Sequence, residues 1–107
     1  MIQKLKERLQ NMQAIGIQKI FSASPGASLS ALERFEQLNK HGFDLKRDAE
    51  LYKNGELVKA AAFCMGYGEY PVNWDEYYKN KILSKTKGER MIIASAFLCA
   101  EFDRLSL

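Results

Sequence analysis

Residues 86–105, TKGERMIIASAFLCAEFDRL, decide the fold of this chain. Thr86 followed three residues later by Glu89 is a capping box, in which the threonine hydroxyl accepts from the Glu89 amide and the glutamate reaches back to the Thr86 amide. A helix started there runs almost to Leu107, and from Met91 to Phe102 it carries apolar residues on nearly every side. A helix that is apolar all round has to be covered all round. A chain of 107 residues supplies few elements for that task, so part of the cover is expected from another copy, and the chain is expected to be a homo-oligomer.

Upstream of this helix the spacing predicts an all-α fold, a small bundle of four main helices. Asn54 is placed to cap a helix whose Leu57, Ala60, Ala61 and Cys64 or Met65 form one face, its alanines permitting close helix contact. Gly66 to Pro71 breaks it, Asn73, Asp75 and Glu76 suit the start of a short helix because acidic residues favour a first turn, and Lys81 to Gly88 reads as a basic loop. Further back, Ser30 with Glu33 reads as another capping box, starting a helix that turns Leu32, Phe35 and Leu38 inward. Gly42 with Phe43 resembles its carboxy-terminal cap, and Asp44 is placed to cap a short turn through Leu51 and Tyr52. Ser22 to Ser28, with Pro25-Gly26, reads as a loop. Before it, Ile2, Leu5, Leu9, Met12 and Ile15 recur at helical spacing as a narrow apolar stripe. The organisation expected is an amino-terminal amphipathic helix over 1–21 and a helical core domain over 28–107.

The length fits one domain, and a hydrophobic fraction of 47% is that of a folding chain. The formal charge of +3 is concentrated in two zones: Lys4, Lys6, Arg8 and Lys19 near the amino end, and Lys79, Lys81, Lys85, Lys87 and Arg90 further on. Such zones attract phosphate or simply keep a surface solvated. Cys64 and Cys99 lie in apolar helical runs without metal or redox spacing, and both are expected in the core of a cytoplasmic protein. No signal peptide is visible, and no apolar run approaches the roughly 20 residues of a membrane span.

Trp74, Tyr77 and Tyr78 followed by Lys81, Lys87 and Arg90 form the best candidate ligand site. Aromatic faces stack on nucleobases and neighbouring cations neutralise phosphate. The competing reading makes Trp74 and Tyr78 plugs at the end of the bundle, since large aromatics are mostly buried. Arg34 and Arg104 are further candidates, because guanidinium binds phosphate bidentately, although each also has carboxylates nearby to pair with. His41 beside Gly42 suits a helix end. The carboxylates show no catalytic or metal-binding spacing, and nucleophile elbows, phosphate-cradling glycine loops and zinc motifs are missing. The expectation is a non-enzymatic protein without metal or cofactor.

In order and spacing, a longer series of residues resembles a family of small bacteriophage and prophage proteins. It comprises Glu33-Arg34 and Gln37, Gly42-Phe43-Asp44 and Asp48, Gly55-Glu56-Leu57, Ala60-Ala61, Trp74-Asp75, Tyr78-Lys79, Ala94, Ala96 and the run Ala100 to Leu105. The match covers about two-thirds of the chain, from Leu32 onward. It departs from the family near Arg47-Asp48, where a histidine-aspartate pair is usual, and at Val72-Asn73, where the family has Trp-Pro. The resemblance implies a phage accessory protein acting in the cytoplasm of an infected bacterium. By analogy with small oligomeric phage inhibitors, the expected function is anti-defence by binding and sequestering a nucleotide-derived immune signal, uncleaved, at sites near subunit contacts. The alternative is an adaptor or inhibitor that grips a host protein with its amino-terminal amphipathic helix. Membrane association is not expected, and binding to nucleic acid through Lys79 to Arg90 ranks below both readings.

Overall fold

The computed structural model describes residues 3–5, 7, 8, 10, 23–39 and 50–106, and among them all regular structure is helical. Four helices follow in order: α1 (Pro25–Asn39), α2 (Glu56–Cys64), α3 (Glu76–Leu83) and α4 (Lys87–Leu105). The all-α expectation holds. Among the described residues no helix is long and apolar enough to cross a membrane.

Helix α4 is the spine, with α2 and α1 packed against it. It turns Ile93, Ala94, Phe97 and Ala100 toward the row Leu57, Ala60, Ala61 and Cys64 of α2, and Ala96 is buried as well. Ala60, Ala96 and Ala100 are completely enclosed, as small side chains must be where two helix backbones approach closely. The start of α4 is as its sequence implies: Thr86 Oγ1 accepts from the Glu89 amide at 3.2 Å, and the Thr86 amide donates to Glu89 Oε1 at 3.1 Å. Those bonds from Thr86 hold the Glu89 carboxyl below its ordinary pKa.

Helix α2 ends in a Schellman motif. The Tyr67 amide donates to the Ala62 carbonyl at 2.8 Å and the Gly66 amide to that of Phe63 at 3.0 Å, which satisfies carbonyls left open by the end of the helix. The motif requires a left-handed residue, and Gly66 supplies it at φ 87. A Cβ there meets nothing within 4 Å, so Gly66→Ala carries only the backbone penalty. The expected loss is about 1–2 kcal/mol, read as a lower urea midpoint at unchanged slope.

The structure corrects several sequence expectations. Helix α1 begins at Pro25 rather than Ser30. Proline is well suited to a first helical position because its missing N–H has no partner there anyway, and Ser24 Oγ accepts from the Ala27 amide at 3.2 Å. Ser30 therefore lies inside the helix, its hydroxyl 2.6 Å from that of Ser95 on α4. The inward face is also different: Arg34 and Gln37 are buried, Leu38 is half-buried, and Leu32 and Phe35 point to solvent. Asn54 does not cap α2. Gly55 occupies the cap position, and the Asn54 amide instead donates to Glu56 Oε1 at 2.7 Å. The basic loop shrinks to residues 84–86, because α3 continues to Leu83 and α4 starts at Lys87. Cys64 is buried as expected, whereas Cys99 is exposed on the outer side of α4, and Met65 is exposed as well. The readings of His41, the Gly42-Phe43 cap, the Asp44 turn and most of the amino-terminal stripe fall outside the described residues.

Candidate aromatic groove

The sequence Tyr70-Pro71-Val72-Asn73-Trp74-Asp75 carries the chain from the end of α2 to the start of α3. The Trp74 amide donates to the Pro71 carbonyl at 3.2 Å, closing a turn. Asp75 then caps α3, its Oδ1 accepting from the Tyr77 amide at 3.0 Å, as the acidic start of that segment implies. Tyr70 reinforces the bend by donating its hydroxyl to the Asp75 carbonyl at 3.0 Å. Burial, with Asp75 adding to it, pushes the Tyr70 phenol above its ordinary pKa. The phenol stays protonated and remains a donor.

This bend places Trp74 at the centre of an aromatic cluster. Its ring centroid lies 5.1 Å from Tyr52, 5.9 Å from Tyr70 and 5.5 Å from Phe97. The tilted and edge-on arrangements are those favoured by ring quadrupoles. Trp74 and Tyr78 are only partly buried and pack on the main core, so each joins the core on one side and remains accessible on the other. Burial raises the Tyr78 phenol as well, with Glu33 adding to the effect and the nearby Gln37 amide partly opposing it. Helix α1 thus lays its polar side, Glu33 and Gln37, over this end of the core, and desolvation raises the Glu33 carboxyl above its ordinary pKa.

In front of the cluster lies an open groove of about 760 Å³, with Tyr52, Trp74, Tyr77 and Tyr78 on its walls and Lys59 and Lys81 among its lining residues. That volume is in the range of small-molecule sites, roughly 300–1,000 Å³. Two carboxylates also line it, Glu56 and Asp75, each already accepting from a backbone amide. Among the described residues neither Lys59 nor Lys81 is in an ion pair. Tyr77 is 75% exposed, so its ring is available as a stacking face.

Of the sequence-chosen residues, Trp74, Tyr77, Tyr78 and Lys81 meet in this groove, which is formed within a single chain. Lys87 and Arg90 lie apart, with Lys85, in a smaller hollow of about 340 Å³ beside Cys64 and Met65. Arg90 has structural work there: Nη2 donates to the Leu83 carbonyl at 2.7 Å and Nε to that of Lys85 at 3.1 Å, closing the end of α3. Lys85 pairs with Glu89 at 4.0 Å.

Arg34 and Arg104 do not line either space. The Arg34 guanidinium is buried and bonds Asp103 Oδ2 at 3.2 Å and Gln37 Oε1 at 3.4 Å, tying α1 to α4. Arg104 donates to Glu101 Oε1 from Nη2 and, at 3.0 Å, from Nε, one turn away on α4. Sequence reading missed Tyr52, Tyr70 and Lys59. Tyr52 and Lys59 reach the groove from the segment before α2 and from α2 itself, with no local spacing to mark them, whereas Tyr70 lies only four residues before Trp74. Among the described residues no group of three or more His, Cys, Asp or Glu is placed to hold a metal ion. Comparison of the chain with family models, curated proteins and solved structures finds no match.

Proposed function

We propose that this chain binds a small anionic ligand bearing an aromatic base, a nucleotide-derived molecule, in the Trp74 groove and holds it without cleaving it. The convergence of Trp74, Tyr77, Tyr78 and Lys81 on one groove carries this reading. The base stacks on the exposed ring of Tyr77 beside the edge of Trp74, and Lys81 and Lys59 neutralise the phosphate. Stacking on an aromatic side chain is worth about 1–3 kcal/mol per base, and it tolerates different bases because each has a π-face. Capture alone then suffices for function. With the resemblance to phage proteins, the biological role proposed is anti-defence in an infected bacterial cell, by sequestering a nucleotide immune signal.

A thermal-shift panel of cyclic dinucleotides, cyclic mononucleotides and ADP-ribose-type compounds tests this. A ligand at about 100 times its Kd stabilises the folded state by about 2.7 kcal/mol, which at this chain length raises Tm by roughly 10 °C. The compound should be recovered chemically intact. Lys81→Glu should weaken binding by roughly 10-fold or more, because it replaces an attractive charge at the phosphate with a repulsive one. A flat panel removes the proposal, and recovery of hydrolysed ligand replaces capture with catalysis.

A further inference from the structure

Helix α4 has a second apolar side. Opposite its buried face, Met91, Leu98, Phe102 and Leu105 are 49%, 52%, 39% and 57% exposed. With Ser95 between them, they follow the alternating four- and three-residue spacing of a coiled-coil seam. No residue of the row is charged, and Cys99 beside it is also exposed.

The position of α1 places a further residue next to this seam. Ser30 meets Ser95 and Arg34 meets Asp103, so α1 runs alongside α4 in the same direction. Its Glu33 and Gln37 side faces Tyr78 and the α2–α3 end of the core. At 100° per residue, its opposite flank carries Ala31 and Phe35, which border the outer row of α4. Phe35 is 61% exposed.

We propose that this face, the α4 row flanked by Phe35, is where two copies of the chain pair about a two-fold axis, α4 against α4. Three features select a second copy as the occupant. A two-fold contact is made by the same patch on both partners, and an uncharged patch meets itself without like-charge repulsion. The heptad-like spacing allows two identical helices to interdigitate. The five side chains, each 39–61% exposed, also form a continuous apolar strip of the kind that makes the core of a two-fold interface. None of these residues lines the groove, so the interface and the ligand reading succeed or fail separately.

Light scattering on the full chain, combined with a short bismaleimide cross-linker, tests the pairing. Wild type should have the mass of a dimer at micromolar concentration. Leu98→Glu with Phe102→Glu should run as a monomer of unchanged helicity, its association weakened roughly 100-fold or more, and should keep any ligand-induced shift in Tm. Because Cys64 is buried, the cross-linker reports on Cys99, and a covalent dimer should form in wild type and disappear in Cys99→Ser. The cross-linking result holds even if the double variant fails to fold. A monomeric wild type, as expected if the amino-terminal stripe covers this face within one molecule, overturns the proposal. So does a dimer that survives both glutamates or forms no Cys99 cross-link.

Discussion

Replacing Phe97 with alanine should lower the stability of the chain by about 3–5 kcal/mol. Among the described residues Phe97 is the largest of the completely buried side chains. It sits at the middle of α4 and contacts the rings of Trp74 and Tyr78, at centroid distances of 5.5 and 6.2 Å. Truncation loses the transfer free energy of the ring and leaves a cavity that the surrounding helices can close only in part. A domain of this size has about 5–15 kcal/mol in total, so the variant should be partly unfolded at ordinary temperature or melt far below wild type. Urea titration followed by circular dichroism reads the loss. Val72→Ala is the matching control: Val72 is 86% exposed, and its truncation should stay within about 0.5 kcal/mol. A Phe97 variant as stable as that control would mean that the core is not centred where α2, α4 and the aromatic cluster meet. The same substitution should disturb the groove, because Trp74 would lose the ring behind it.

Alkaline pH should unfold the chain through groups held protonated inside it. Burial pushes the Cys64 thiol from 9.0 up to about 12, with Arg90 partly opposing the effect. Burial also pushes the Tyr70 and Tyr78 phenols above their ordinary value of 10.0. For each group the folded pKa exceeds the unfolded one, so its contribution to stability is fully present below the unfolded pKa and is lost as pH rises toward the folded value. The linkage slope is about 1.4 kcal/mol per pH unit for each group that ionises only in the unfolded chain. Stability should therefore start to fall near pH 9 as the thiol titrates in the unfolded state, and more steeply above pH 10 as the two phenols join. Urea midpoints measured from pH 8 to 11 test this. Tyr78→Phe should flatten the decline above pH 10, and Cys64→Ala should remove the part beginning near pH 9. A profile that both substitutions leave unchanged would show that these groups are not shielded as described.

Short-range signals were legible. Thr86 and Glu89 form the expected capping box because both partners lie within one turn. Asp75 caps α3 for the same local reason. The row Leu57, Ala60, Ala61 and Cys64 is buried as its period implies. Helix α1 shows where such reading stops. Its apolar residues Leu29, Leu32 and Phe35 repeat every three residues, and periodicity reveals a stripe without saying what covers it. The face that meets α4 is instead held by Ser30–Ser95 and Arg34–Asp103, pairs joining residues far apart in sequence. Pro25-Gly26 resembles a loop because both residues punctuate structure, yet proline at a first helical position starts a helix, as it does at the start of α1.

The candidate site divides along the same line. Trp74, Tyr77, Tyr78 and Lys81 lie within two turns of one segment and share the groove. Lys87 and Arg90 follow closely in the chain, but the start of α4 carries them to a separate hollow. Tyr52 and Lys59 join the groove only through the packing of α2 and the segment before it. Arg34 and Arg104, attractive as phosphate ligands in isolation, have found carboxylates inside the bundle.

Trp74 is the sole tryptophan of the chain and lines the groove with its other side on the core, so its fluorescence responds to a ligand seated in that space. Titrating wild type and the Lys81→Glu variant with the best nucleotide from the panel is the most direct test of ligand capture. The account predicts saturable quenching of Trp74 in wild type, with the midpoint moved at least about 10-fold higher in the variant. Stabilising binding without any change in Trp74 emission, or an unchanged midpoint in Lys81→Glu, would place the ligand elsewhere and contradict it.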